Sequence, residues 1–210
     1  MIKILTKSVV LFKGKGIPHY SDHFHGKLEE GLYIRGSDFM AHILQVVGYK
    51  NSGKTTLVEK IVSYLKKKHV RVATIKHHGH GGEPYNVEGK DSVRHRLAGA
   101  DVSGVEGGGL FSLSIKKEKW MLDELIELYR FFSIEMIIVE GYKEEAYPKI
   151  CLVKSEEDVH MLKNLSNVLL VLTWGPIPEG PYPVYSIHSN EFTEWLGNYF
   201  KEVMNDESTI

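Results

Sequence analysis

Nine residues constrain this chain more than any others: Gly48-Tyr49-Lys50-Asn51-Ser52-Gly53-Lys54-Thr55-Thr56. They match G-x-x-x-x-G-K-[ST] at every fixed position. An apolar run, Ile43 to Val47, precedes them, and Leu57, Ile61, Val62 and Leu65 follow at helical spacing. A strand, a glycine-rich turn and a helix in that order make a phosphate-binding loop. Gly48 and Gly53 are expected to supply the positive φ angles of a tight turn. Successive backbone N–H groups then converge as an anion nest, and the helix opening at Lys54 adds its own free N–H groups and dipole. Lys54 can reach the β- and γ-phosphate oxygens, Thr55 can place its hydroxyl on magnesium, and Thr56 can reach an α-phosphate oxygen. Asn51 and Ser52 complete the loop. The alternative is an ordinary strand-to-helix turn, which has no use for a lysine at the mouth of the helix.

The rest of the chain alternates in the way this motif requires. Val70 to Ile75, Met136 to Val139, Lys149 to Val153 and Val168 to Leu172 read as strands. Thr55 to Lys68, Lys119 to Phe132, Glu157 to Leu165 and Asn190 to Met204 read as helices. Asp101 to Glu106 and Leu110 to Ile115 flank three glycines and suggest a small hairpin insertion. The expectation is an α/β P-loop fold with a mostly parallel central sheet between helices. Ligands of such sheets bind at the carboxyl ends of the strands. Gly48, Lys76, Glu140 and Thr173 each end a predicted strand and should meet on one edge.

Composition narrows the function classes. The 210 residues carry a formal net charge of −1, so no global basic field argues for nucleic acid. No apolar run approaches the roughly 20 residues of a membrane span. The single cysteine, Cys151, excludes an intrachain disulfide and fits a cytoplasmic protein; its apolar surroundings suggest a buried thiol. Residues 1–39 differ from the rest, being polar and rich in His and Gly after Phe12. Met40 stands directly before the first apolar strand, so residues 40–210 are expected to form the working domain. Residues 1–39 would be an N-terminal extension or a start-site artefact. His19, His23 and His25 lie there and are given no function.

Three further features bear on chemistry. Glu140 follows four apolar residues, which places a carboxylate at the ligand edge, where magnesium needs one; a solvent-facing strand-end glutamate is the plainer alternative. Asp91, after Glu88-Gly89-Lys90, is a candidate contact for phosphate or catalytic water and equally a helix N-cap. Lys54 and Asp91 are thus the candidate catalytic residues. Lys76-His77-His78-Gly79-His80 begins where the second strand ends. Three imidazoles invite a transition-metal reading, yet no cysteine or second histidine pair backs it. Contact of Lys76, His77 and His80 with an anion or substrate is the other reading, and a mere turn the third. Arg94-His95-Arg96 adds positive charge that could hold a phosphate or simply face solvent.

Gln45 to Leu57, Thr74 to His80, Gly89-Lys90-Asp91-Ser92, Arg94-His95-Arg96 with Ala98-Gly99-Ala100, and Ile138 to Lys143 together resemble the molybdopterin-guanine dinucleotide biosynthesis protein B family. The resemblance runs from about Ala41 to the C-terminus. It implies a P-loop protein, usually dimeric, that binds GTP with magnesium and hydrolyses it weakly. It also implies work beside the nucleotidyltransferase that joins GMP to the molybdenum-bearing molybdopterin. Many members carry an aspartate shortly before Gly-Lys-Asp where this chain has Asn86, so no contact is carried over there. Guanine choice does not come from the residues: no Asn-Lys-x-Asp motif follows a strand, and Thr173-Trp174-Gly175, where base contacts could be made, is not a recognisable code. No arginine finger or positioned base is identifiable, so slow intrinsic hydrolysis is expected. A metallochaperone GTPase, a small-molecule kinase and a pure interaction module are the rivals. Metal titration, phosphoryl transfer to an acceptor and tolerance of Lys54→Ala would reveal them respectively.

Overall fold

The computed structural model describes residues 3–5, 9–12, 32–35, 41–79, 91–176 and 180–205. Three short strands, β1 (Lys3–Leu5), β2 (Val9–Phe12) and β3 (Leu32–Arg35), form an antiparallel sheet in that order. The main sheet holds β4 (His42–Gly48), β5 (Val72–Lys76), β8 (Met136–Glu140), β9 (Lys149–Val153), β10 (Val168–Thr173) and β11 (Val184–Ser186). Its order is β11-β10-β9-β4-β8-β5, and every pairing is parallel. Hence the carboxyl ends of all six strands share one edge. Gly48, Lys76, Glu140 and Thr173 are four of those ends, as expected from sequence.

Parallel strands need both faces covered, so their sequences are apolar almost throughout. Leu44, Val46, Ile138, Ile150, Leu152, Leu170 and Leu172 pack on one face against α1 (Lys54–Lys67) and α4 (Glu191–Asn205). The alternate residues Val47, Cys151, Val153 and Val171 pack on the other face with Met161 of a 3-10 segment, Glu156–Asn164. That segment was expected as an α-helix. Ser155 and Asp158 form a reciprocal capping box over its first turn. The three-residue β11 was not expected at all.

By its internal contacts the chain divides into two units, one comprising residues up to His77 and from Ile126 onward, the other His78–Leu125. The second holds α2 (Asp91–Leu97) and the antiparallel hairpin β6 (Val102–Gly107) and β7 (Leu110–Ile115). The turn uses Gly108 at φ 60° and Gly109 at φ 77°. Ser103 Oγ donates to the Ser92 carbonyl of α2 at 3.0 Å. Val105, Leu110, Phe111 and Leu113 of the hairpin are exposed. The helix α3 (Leu122–Tyr129) runs across the division and ends in a 3-10 turn, Arg130–Phe132.

Candidate functional site

The loop between β4 and α1 folds as the motif predicts, with one correction. Its left-handed residues are Asn51 at φ 60° and Gly53 at φ 95°, not Gly48. Gly48 is needed for a different reason. It is the last residue of β4 and pairs with Leu152 of β9. A Cβ there would lie 2.5 Å from Ser52 Oγ and 2.9 Å from the Leu152 carbonyl oxygen. Close approach of three chain segments, rather than dihedral freedom, excludes a side chain. Ser52 is buried and its Oγ finds no hydrogen-bond partner among the described residues.

Lys54 opens α1 and donates from Nζ to the Tyr49 carbonyl at 2.7 Å, spanning the loop. Burial lowers its affinity for a proton; Glu140 opposes that, and Lys143 and Lys76 reinforce it. An ammonium so placed gains from any anion brought to the loop. Thr55 is exposed on the first turn, and its Oγ donates to Glu140 at 3.0 Å from Oε1 and 3.1 Å from Oε2. Thr56 is exposed beside it.

Glu140 is buried, which removes the solvent-facing alternative. Lys76 Nζ stands 3.0 Å from Glu140 Oε1 and donates to Thr55 Oγ at 3.0 Å. A cation therefore already sits between a hydroxyl and a carboxylate, both hard oxygen donors of the kind magnesium takes. The residues fit that ion. Lys54 thus feels one carboxylate, Glu140, and two lysines, Lys143 and Lys76, a surplus of positive charge suited to phosphates.

Sequence reading gave Gln45, Tyr142 and Lys143 no role in the site. Gln45 is fully buried in β4, and its Nε2 donates to the Gly141 carbonyl at 3.2 Å and the Tyr142 carbonyl at 2.8 Å. A polar side chain inside an apolar strand was the available signal. Gly141 and Tyr142 both take left-handed backbone, at φ 101° and 53°. Lys143 Nζ then lies 4.1 Å from the Tyr49 ring centroid, a cation–π contact on the loop itself. Trp174, just past β10, donates its indole N–H to the Ser52 carbonyl at 2.9 Å.

The other candidates fall as follows. The His77 N–H donates to the Glu140 carbonyl at 2.9 Å, and its ring packs on Tyr142 at 4.5 Å between centroids. His78 is exposed, and His80 and Asn86 lie outside the described residues. Asp91 is the first residue of α2 rather than the residue before it, and pairs with Arg94 at 3.6 Å. Its carboxylate suits the positive end of the helix. Among the described residues no group of three or more His, Cys, Asp or Glu is placed to hold a metal ion. No helix among them is long and apolar enough to cross a membrane.

Comparison with known proteins agrees with this fold. The chain is 42% identical over 130 residues to the probable molybdopterin-guanine dinucleotide biosynthesis adapter protein of Bacillus subtilis (strain 168), which spans 61% of this chain and 75% of that protein. It is 34% identical over 136 residues to the molybdopterin-guanine dinucleotide biosynthesis adapter protein of Haemophilus influenzae, spanning 64% and 76%. The crystal structure of a MobB protein homolog from Bacillus stearothermophilus superposes with a TM-score of 0.62 at 36% identity, over 78% of this chain and 98% of that one. A crystal structure of Bacillus subtilis MobB gives 0.65 at 35% identity, over 75% and 96%. The family model for MobB, described as molybdopterin guanine dinucleotide synthesis protein B, matches residues 43–174. That stretch holds the loop, Glu140, the histidine segment and Trp174, and the chain belongs to the MobB family.

Proposed function

We propose that this protein is a GTP-binding adapter in synthesis of the guanine dinucleotide form of the molybdenum cofactor. It binds the triphosphate with magnesium and hydrolyses it slowly at most. One observation carries the reading: Lys54, Thr55, Lys76 and Glu140 meet at the carboxyl edge of a parallel sheet, on a loop of phosphate-binding form. Backbone amides of residues 51–56 and Lys54 neutralise the phosphates. Thr55 and Glu140 would hold magnesium, which supplies further charge neutralisation when bound. Lys76 is released from Glu140 in that state and turns to the phosphate oxygens. His77 contributes to the substrate side of the same edge; His80, as a substrate contact, and Asp91, as a contact for phosphate or water, are carried by their sequence pattern alone.

The names of the relatives, adapter proteins of molybdopterin-guanine dinucleotide biosynthesis, support a partner enzyme, the nucleotidyltransferase, and molybdopterin as the shared substrate. A homodimer in the cytoplasm completes the reading. The exposed apolar hairpin supports a second copy, because an apolar patch of this kind marks an interface. Residues 40–210 form the working domain in this reading, with 1–39 as an extension. Mass spectrometry of natively expressed protein reads the terminus directly.

Calorimetric titration with GTP and magnesium tests the central claim. Each charge-assisted hydrogen bond from Lys54 is worth about 1.5–3 kcal/mol, so Lys54→Ala should weaken binding roughly ten- to hundredfold. Unchanged affinity would falsify the assignment. Addition of the protein to a purified nucleotidyltransferase with molybdopterin, GTP and magnesium tests the adapter role by the yield of dinucleotide product.

A further inference from the structure

The phosphate loop explains how a triphosphate is held, but nothing in it reads a base. The base must leave the loop on one side or the other along the carboxyl edge. On the β5 side the edge is taken up by Lys76, Glu140 and the His77–Tyr142 pair. On the opposite side, past β9, the ends of β10 and β11 carry two aromatic residues, Trp174 and His188.

Their placement is specific. Trp174 follows the last residue of β10, and His188 lies two residues beyond the end of β11. The indole N–H is fixed on the Ser52 carbonyl at 2.9 Å, and a Cβ on Gly53 would come within 3.1 Å of the indole ring. Trp174 therefore touches the two loop residues directly before Lys54. The residue is nonetheless 44% exposed, although its indole N–H is already satisfied inside the fold. The exposed His188 ring stands 5.4 Å away at 80°, so the two rings make an open corner. A planar ring stacked on one face of the corner meets the edge of the other, and imidazole can donate or accept a hydrogen bond there.

We infer that Trp174 and His188 form a nucleobase subsite, in which a purine attached to the loop-bound triphosphate stacks in the aromatic corner. This rests on the triphosphate reading of the loop and extends it to the other end of the ligand. Trp174 has two tasks in this arrangement: its N–H braces the loop and its free face takes the base. A purine is favoured over a pyrimidine because its larger π face covers more of the indole.

The test separates the base from the phosphates. Binding of GTP, CTP and inorganic triphosphate, each with magnesium, is measured on the full chain and on Trp174→Ala, Trp174→Phe and His188→Ala. Base–aromatic stacking corresponds to roughly five- to hundredfold in affinity. The native chain should bind GTP tighter than CTP, and CTP tighter than inorganic triphosphate. Trp174→Ala should weaken inorganic triphosphate binding through the missing brace and weaken GTP binding severalfold more, so that most of the GTP advantage is lost. Trp174→Phe, which keeps a ring and loses the N–H, should retain a preference for GTP, and His188→Ala should reduce it. Equal losses for GTP and inorganic triphosphate in Trp174→Ala would make the residue a brace alone and overturn the subsite. So would equal binding of all three ligands by the native chain. If none of the three binds, the triphosphate reading itself falls, and the subsite with it.

Discussion

Replacing Gly48 by alanine tests why the phosphate loop needs glycine at its entry. The motif suggests dihedral freedom; the structure says crowding. A methyl at this position would sit 2.5 Å from Ser52 Oγ, 2.9 Å from the Leu152 carbonyl oxygen and 3.2 Å from Leu152 Cβ. The serine hydroxyl can rotate away. The carbonyl cannot, because Leu152 lies in β9 in register with Gly48 itself. Relief requires β4 and β9 to separate at the centre of a buried sheet. Overpacking of this kind costs about 1–3 kcal/mol. For a chain of this length each kcal/mol moves the melting temperature by about 2–4 °C, so a fall of roughly 2–12 °C is expected. Thermal unfolding followed by circular dichroism measures it. The double variant Gly48→Ala with Ser52→Ala should recover less than half of the loss, since the carbonyl contact remains. Full recovery would place the clash at the hydroxyl alone, and a melting temperature indistinguishable from the native one would refute the crowding argument. Gly53→Ala is the contrasting case, where a left-handed alanine costs about 1–2 kcal/mol and the Trp174 ring lies 3.1 Å from the added atom.

Glu140→Gln keeps the shape of the side chain and removes its charge. The magnesium dependence of GTP affinity should fall roughly ten- to hundredfold, as when a metal site loses a supporting partner, and titration at several magnesium concentrations reads it. Lys149→Met should destabilise the fold by about 3 kcal/mol or more in urea unfolding, because the carbonyls of Glu145, Tyr147 and Ser166 each lose a donor. Burial pushes the Cys151 thiol up to about 12. The unfolded thiol ionises near ~8.5, so the native state keeps a proton that the unfolded state sheds. That share of stability is complete below the unfolded value and is lost as pH climbs toward about 12. The alkaline decline in the urea midpoint should be shallower in Cys151→Ala. Phe111→Asp should convert a dimer to a monomer in sedimentation, leaving the melting temperature of the monomer close to that of its parent.

The sequence displayed the sheet because each core strand is a continuous apolar run, and parallel strands covered on both faces must be. It displayed the phosphate loop because fixed residue types at fixed spacing do one job. Glu140 was legible for the same reason, as the first polar residue after four apolar ones. What escaped depends on contacts between distant segments. Lys149 reads as the polar start of a strand, yet it is fully buried because three carbonyls from either side of β9 close around its ammonium. The extended β11 is three residues long, too short to show a period. The 3-10 segment differs from an α-helix only in its hydrogen-bond step, which side-chain spacing over nine residues hardly distinguishes. Gly48 satisfied the motif for a reason that only the position of Leu152 reveals.

The carboxylate that would hold magnesium and the start of the histidine segment are parts of one rigid assembly. The Glu140 carboxylate is tied to Thr55, and the Glu140 carbonyl accepts the His77 N–H. The next two residues adopt left-handed backbone, which for Tyr142 carries a steric penalty. Gln45 holds both of their carbonyls from inside the sheet, and the Gly141 N–H is held by the Val46 carbonyl. A side chain on Gly141 would meet His77 Cβ at 3.0 Å, so the two segments cannot slide apart and re-form with a bulkier residue between them. The His77 ring lies on the Tyr142 ring as well. Release of Lys76 to an incoming anion would leave the Glu140 carboxylate in place, on the same backbone that holds His77. Five hydrogen bonds and a ring contact thus join the Thr55–Glu140 pair to the backbone and ring of His77.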